Sequence, residues 1–452
     1  MSRMEHWESD DLVVAEKGVK STWSQGGHAD QFMIVNFGTV VMAGIIKSDY
    51  DKIASFAEEH PGMRIRSLSQ KINRRNLTDI HNKMDRKKAK GIDNVSKDEY
   101  SENLEENILK LVNKLIRDEY TPQASRRVFI PKLNGKKRPL GIPCYEDKLV
   151  EVCIAKLLSA VYESRFINFS YGFRPCRSCH QAVGDVRKKI TTGKIGWLVE
   201  ADIKDFFDSV DHDLLIKFLE KDIEDRKFIR LIRKFLKAGI MHEGKFLVTD
   251  VGTPQGNAMS PMLANVYLHY VLDSWFEEDV KRYCRGEAHM IRYADDFVCL
   301  FQHKRDAERF LTALNKRMNK FKLELEPTKT KILEFGRFAE VNRKNRGEGR
   351  PEIFNFLGFT FYCAKSYNKK FMVKVLTERK KFSDKLKKLS KWLYDHRTMN
   401  VVEIIKRVNL SLAGHFKVLN RRSQRKSFNW EKFNNFLKKF PLAKPKIKVQ
   451  LP

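Results

Sequence analysis

The alternation of apolar and polar positions predicts helices first. From Met63 onward a basic stretch places Ile65, Leu68, Ile72, Leu77 and Ile80, then Leu104, Ile108, Leu111 and Leu115, at three- and four-residue spacing, the repeat of a helix with one apolar face. At least two amphipathic helices are expected before Tyr120, with residues 87–93 as a solvated loop between them. From Arg126 the period shortens to that of a strand: Val128 and Ile130, then Asn134-Gly135, then Leu140 and Ile142. Asn-Gly between two extended runs predicts a hairpin, because the favoured tight turn needs positive φ at both central positions. Helical and strand patterns alternate from there to about residue 362, without an internal repeat. Beyond Lys365, Phe382, Leu386, Leu389 and Leu393 form one helical stripe, and Val401, Ile404, Ile405, Val408 and Leu412 form another. Pro441, Pro445 and Pro452 punctuate an extended basic tail.

Composition adds a partner class. The 452 residues are 42% hydrophobic and 11% aromatic, which excludes a mainly disordered chain. Lys and Arg number 87 against 57 Asp and Glu, a net charge of +30, so the chain faces a polyanion: nucleic acid or an anionic membrane surface. The charge is uneven, with net −5 over residues 1–62, +15 over 63–360 and +20 over 361–452. Two thirds of the surplus thus sits in the last fifth, as a basic appendage on a more balanced body. The longest apolar stretch, residues 32–46, is broken by Asn36, Gly38, Thr39 and Gly44 and falls short of the roughly 20 residues of a membrane helix. An acidic segment precedes it, unlike a signal peptide, so a cytoplasmic protein is expected. Seven cysteines, an odd number mostly in apolar or basic runs, fit a reduced compartment. Residues 1–62 carry no readable motif.

The candidate chemistry lies in carboxylates where strands normally avoid them. In Ile291-Arg292-Tyr293-Ala294-Asp295-Asp296-Phe297-Val298-Cys299-Leu300, two adjacent Asp residues separate two apolar runs. At a hairpin tip, at least one would face a divalent cation; an ordinary Asp-rich turn is the competing reading. A second segment, Trp197-Leu198-Val199-Glu200-Ala201-Asp202-Ile203, puts Asp202 at the end of another apolar run, ahead of a helical pattern. Carboxylates from neighbouring strands that clamp two hard cations roughly 3.5–4 Å apart are what in-line phosphoryl transfer requires.

The order of blocks around these segments resembles a group II intron-type reverse transcriptase over roughly residues 65–445. The resemblance rests on Arg126-Arg127-Val128-Phe129-Ile130-Pro131-Lys132 with Arg138-Pro139-Leu140-Gly141-Ile142-Pro143, and on Ser170-Tyr171-Gly172-Phe173-Arg174-Pro175. It continues through the Asp202 segment, Gly252-Thr253-Pro254-Gln255-Gly256-Asn257-Ala258-Met259-Ser260-Pro261, the Tyr293-to-Asp296 box, Leu325-Glu326-Pro327-Thr328-Lys329-Thr330-Lys331 and Phe356-Leu357-Gly358-Phe359.

The resemblance implies an α+β right-hand polymerase: fingers, a palm with an antiparallel sheet, and a helical thumb. The implied division is an acidic extension over 1–62, a helical part of the fingers over 63–120, fingers and palm over 121–364, and a basic thumb or maturase X-like domain over 365–452. It implies that Asp202, Asp295 and Asp296, with the backbone carbonyl of Ile203, hold two Mg2+ ions, Mn2+ being an alternative. Phe207 would be the bulky gate against a ribose 2′-hydroxyl, Lys132 and Arg138 would pair with the incoming triphosphate, and Gln255 and Gly256 would track the templating base and nucleotide. Lys329 would protonate the leaving pyrophosphate. Implied partners are an RNA template with a DNA or RNA primer, dNTPs, and the protein's own intron or a structured non-coding RNA. No membrane partner is implied.

Two further patterns are set aside. Cys176-Arg177-Ser178-Cys179-His180 spells a c-type haem attachment pattern or half a zinc site, but no second pair at metal spacing accompanies it. Gly239 to Phe246 approaches a phosphate loop, yet Phe246 stands where Ser or Thr is needed, so a turn is expected. The chain resembles the short intron proteins that lack an HNH endonuclease, with a longer segment before Met63. Three functions follow: an intron-encoded reverse transcriptase with maturase activity, a free-standing reverse transcriptase in phage defence or DNA repair, or an RNA-binding splicing cofactor with a vestigial site.

Overall fold

A computed structural model describes residues 48–131, 137–242, 245–247, 252 and 256–420. Its strands, in chain order, are β1 (Ser125–Pro131), β2 (Lys137–Ile142), β3 (Trp197–Ala201), β4 (Ile240–His242), β5 (Lys245–Leu247), β6 (Ala288–Tyr293), β7 (Asp296–Phe301), β8 (Lys331–Glu334), β9 (Phe354–Phe356), β10 (Phe359–Lys365) and β11 (Phe371–Thr377). They form three sheets among many helices, the α+β mixture expected.

The sheet that matters for function runs β6-β7-β3-β8, antiparallel throughout. Phe297 to Phe301 of β7 are all buried, a continuous apolar run instead of an alternating one, as a strand covered on both faces requires. Helix Lys304–Lys320 packs across β3 and β7, and helix Cys179–Thr192 lies against β6.

Next in the core comes helix Tyr145–Tyr162, which is apolar almost all round, with Leu149, Val150, Cys153, Ile154, Leu157, Leu158 and Val161 sealed from solvent. Helices Asp49–Glu59 and Arg74–Lys83 pack onto it. Leu104–Ile116 forms the helix its spacing predicts, burying Ile108 and Leu111. Residues 65–72 do not continue a helix. Ile65 bridges Ile223, its N–H donating to Asp222 O at 2.7 Å; a single 3-10 turn follows at Ser69–Lys71, and α-helix begins only at Arg74, where the Asn73 side chain accepts from Asn76 N. A distant strand-like partner satisfies the backbone there, which local periodicity does not reveal.

The sheet β2-β1-β4-β5 contains the expected hairpin, with Ile130 opposite Arg138; Asn134-Gly135 lies outside the described residues. The segment after Gly239 is β4 and β5, antiparallel to each other, with β4 parallel to β1; it is a hairpin and not a phosphate loop. In the third sheet, β11-β10-β9, Phe354 stacks on Phe361 with ring centroids 4.6 Å apart. β11 occupies part of the stretch expected to be helical after residue 365, because Val373 and Val375 bury alternate positions. The two stripes beyond it coincide with helices Arg379–Asp395 and Val401–Asn420.

The described residues divide into a unit up to residue 381 and a second from residue 382 onward. Among the described residues no helix is long and apolar enough to cross a membrane. All seven cysteines are free thiols.

Candidate active site

Strand register brings the three predicted carboxylates together. β3 pairs with β7 up to Ala201↔Phe297, and one further step along both strands sets Asp202 opposite Asp296. Past that point the chain is held from its other side: Glu326 N donates to Asp202 O at 2.8 Å, Lys204 N to Glu324 O at 2.9 Å, and Ile203 bridges Leu325. The Leu325-Glu326 block therefore docks along the Asp202 segment. Asp295 and Ala294 form the two-residue turn from β6 to β7, closed by Tyr293↔Asp296, which is the hairpin tip expected for the Asp pair.

Charge is concentrated there. Burial, then the charges of Asp295 and Asp202, push the Asp296 carboxyl up to about 7, against the opposing pull of Lys381 and Lys329. Asp296 keeps an open face to solvent, so the contribution of its two acidic neighbours is the part that geometry carries best. Lys329 Nζ lies 2.6 Å from Asp202 Oδ2, and this bond raises the lysine's own pKa. Among the described residues no three acidic, His or Cys side chains close on a single point as a metal cage. Mg2+ does not need one, since it is commonly held through one or two carboxylates and keeps several waters. Partly exposed carboxylates that repel one another, one already balanced by an ammonium, fit such a cation.

The turn itself is strained and braced. Ala294 has φ +57, a left-handed conformation that costs a non-glycine residue about 1–2 kcal/mol. Its carbonyl accepts from Arg292 Nη1 at 2.9 Å. Arg292 is fully buried, forks onto Asp273 (Nε to Oδ1 2.7 Å, Nη2 to Oδ2 2.5 Å), and also donates to Asn265 Oδ1 at 2.9 Å and Ser170 Oγ at 2.8 Å. Asn265 in turn donates to Gly172 O at 2.7 Å. Gly172 abuts the turn so closely that a Cβ would stand 2.3 Å from Ala294 N, which is why this block carries Gly before Phe173. Sequence reading missed this network. The available signal was a lone Arg inside an apolar strand, but its partners are not local.

The remaining predicted residues fall into two groups. Phe207 is half-buried, edge-on to Phe206 at 5.5 Å, and its carbonyl backs the Gly252 loop, whose N–H donates to Val210 O at 2.8 Å. Gly256 has φ +113, and a Cβ there would meet Gly141 O at 2.5 Å; in this structure the position approaches β2. Buried Glu151, its carboxyl pushed well above the usual range by burial, accepts from Ala258 N at 3.1 Å and so anchors this loop to helix Tyr145–Tyr162. Lys132 and Gln255 lie outside the described residues, and of Arg138 only the backbone, paired with Ile130, is described. Cys176 is exposed while Cys179 is buried beside the His180 ring; no metal cluster forms there among the described residues.

The sheet thus presents acidic residues at adjoining strand ends. The chain belongs to the reverse transcriptase (RNA-dependent DNA polymerase) family, whose model matches residues 130–361. Over 182 residues it is 45% identical to the group II intron-encoded protein LtrA of Lactococcus lactis subsp. cremoris, covering 40% of this chain and 30% of that protein. It is 34% identical over 256 residues to protein YkfC of Escherichia coli K12, covering 55% and 66%, and 45% identical over 170 residues to a 91 kDa protein in the cob intron of Schizosaccharomyces pombe, covering 37% and 20%. The matched regions thus span from a fifth to about two thirds of these relatives.

Gly172 and Gly184 give a matched pair of substitutions. Gly172→Ala forces backbone against backbone at Ala294 and is expected to lower the unfolding free energy by about 1–3 kcal/mol. Gly184→Ala, in open space within helix Cys179–Thr192, is expected to raise it by about 0.5–1 kcal/mol. Urea denaturation of the two variants beside wild type measures both signs; an innocuous Gly172→Ala would refute the close packing of the turn.

Proposed function

We propose that this protein is an RNA-directed DNA polymerase that extends a primer 3′-hydroxyl with dNTPs. The observation that carries the reading is the meeting of Asp202 with Asp295 and Asp296 at adjoining strand ends, within a chain of the reverse transcriptase family. The sheet β6-β7-β3-β8 is then the palm, β1 and β2 belong to the fingers, and the helices after Arg379 are the thumb. Asp202, Asp295 and Asp296 would hold Mg2+, with the Ile203 carbonyl as a further donor. The bound cations supply charge neutralisation and a lowered pKa for the attacking hydroxyl.

The chain's own groups have distinct tasks. The primer 3′-oxygen forms a bond to the α-phosphorus as the bond to pyrophosphate breaks; the hydroxyl proton is lost to solvent, and the pyrophosphate is protonated as it leaves. Lys329, bonded to Asp202 here, neutralises that carboxylate, and its place beside the carboxylates supports a role as proton donor to the leaving group. The Phe207 ring, backed by Phe206, would meet a 2′-hydroxyl and so favour deoxynucleotides. Lys132 and Arg138 would pair with the triphosphate, Gln255 and Gly256 with the templating base and nucleotide. The net +20 of residues 361–452 suits backbone contacts to a template-primer duplex.

An intron-encoded role with maturase activity is favoured over a free-standing one by the 45% identity to an intron-encoded protein. The complete carboxylate set weighs against a purely structural splicing cofactor.

Replacing Asp295 and Asp296 by Ala is expected to lower Mg2+-dependent primer extension on an RNA template by about 10³-fold or more. Template-primer binding should be largely retained; an active double variant would refute the assignment. Phe207→Ala is expected to raise ribonucleotide incorporation relative to deoxynucleotide by about tenfold or more, the scale of losing one close contact. Unchanged sugar selectivity in single-nucleotide extension would remove Phe207 from the gate.

A further inference from the structure

The cluster around Arg292 is built differently from the rest of the core. All five guanidinium N–H groups are engaged, by both Asp273 oxygens, Asn265, Ser170 and the Ala294 carbonyl. Arg292 and Asp273 are both sealed from solvent. A buried ion pair is seldom the most stabilising way to fill such a space; apolar side chains of similar volume usually serve as well or better. What the pair provides is a single geometry, because a planar fork accepts only one arrangement of its partners.

That geometry joins three separated parts of the chain. Asp273 ends the π-turn His269–Asp273, which follows helix Ser260–Leu268 and changes the phase at which later side chains project. Ser170 and Gly172 come from the Phe169-to-Phe173 segment, which is strapped to β6 by Arg292 N to Phe169 O at 2.9 Å and Tyr171 N to Arg292 O at 2.8 Å. The fifth contact is the decisive one. It fixes the peptide between Ala294 and Asp295, at the residue with left-handed φ, so the guanidinium sets the direction in which the chain enters the carboxylate pair.

We infer that Arg292, locked by Asp273 and Asn265, is a positioning residue that sets the Ala294-Asp295 turn and thereby the placement of the Asp295 and Asp296 carboxylates for cation binding. This rests on the polymerase reading only for its effect on synthesis; its effect on cation affinity stands apart from it. The side chain touches neither substrate nor cation and acts through the turn.

The test uses the full chain, with Arg292→Lys as the principal variant and Asn265→Ala as a milder one that leaves the Arg–Asp pair in place. Mn2+ affinity is read by electron paramagnetic resonance without nucleic acid, and kcat and the dNTP KM by primer extension well below each variant's melting temperature. Arg292→Lys is expected to weaken Mn2+ binding about 10- to 100-fold, the usual scale for groups that orient metal ligands. It should lower kcat about 10²-fold while KM changes less than about threefold, the pattern of misplaced machinery with intact substrate binding. Asn265→Ala should shift both in the same direction by about tenfold or less. A variant set that melts earlier but keeps wild-type Mn2+ affinity and kcat overturns the inference, since a merely structural role moves only the melting temperature. If Arg292→Lys does not fold, Asn265→Ala decides on the same criteria. Wild-type protein that binds Mn2+ but extends no primer would sink the polymerase reading, and the Mn2+ titrations would still decide the role of Arg292.

Discussion

The turn that carries two of the three carboxylates leans on one buried fork, Arg292 on Asp273, whose guanidinium also holds the Ala294 carbonyl. Like charges at adjoining strand ends repel, adding to the burial that raises the Asp296 carboxyl, and a two-residue turn with a left-handed alanine has no intrinsic reason to hold them in place. The restoring constraint comes from outside the hairpin. Helix Ser260–Leu268 with its following π-turn supplies Asn265 and Asp273, and the Tyr171-Gly172 segment closes from the side with a glycine that leaves no room for drift. Fold and site are therefore coupled through a few polar contacts and not through the apolar core alone.

How much of this was legible in the sequence follows from how local each signal is. Asp202, Asp295 and Asp296 stand out because Asp interrupts runs such as Trp197-Leu198-Val199 and Phe297-Val298-Cys299, where strand chemistry disfavours it. The helices at Leu104–Ile116 and Val401–Asn420 are legible from spacing for the same reason. The pairing of Arg292 with Asp273, Asn265 and Ser170 is not, since those partners lie 19, 27 and 122 positions away and a π-turn intervenes. Ile65 and Ile72 read as helix because their spacing is helical, yet a bridge to Ile223 claims the backbone. Gly256, matched to a segment that tracks the nucleotide, has as its close neighbour in the structure the Gly141 carbonyl of β2.

The charge pattern acquires a division of labour on the same basis. A +30 chain whose carboxylates at one sheet end repel one another has a local demand for cations set within a global demand for polyanions. Lys329 meets the first demand at Asp202, one ammonium against one oxygen. The basic excess after residue 360 suits the second demand.

Strand register and the Arg292 fork together set Asp202, Asp295 and Asp296 at adjoining strand ends, the placement proposed to bind cations. The most direct measurement is the anomalous scattering of Mn2+ in crystals of the protein with an RNA–DNA template-primer and a non-reactive dNTP analogue. The account predicts Mn2+ signal at the Asp202 and Asp295 carboxylates, with the Lys329 ammonium moved off Asp202 and the Arg292 contacts to Asp273 and Ala294 intact. Mn2+ bound elsewhere, or Asp202 still held by Lys329 with no metal beside it, would contradict it.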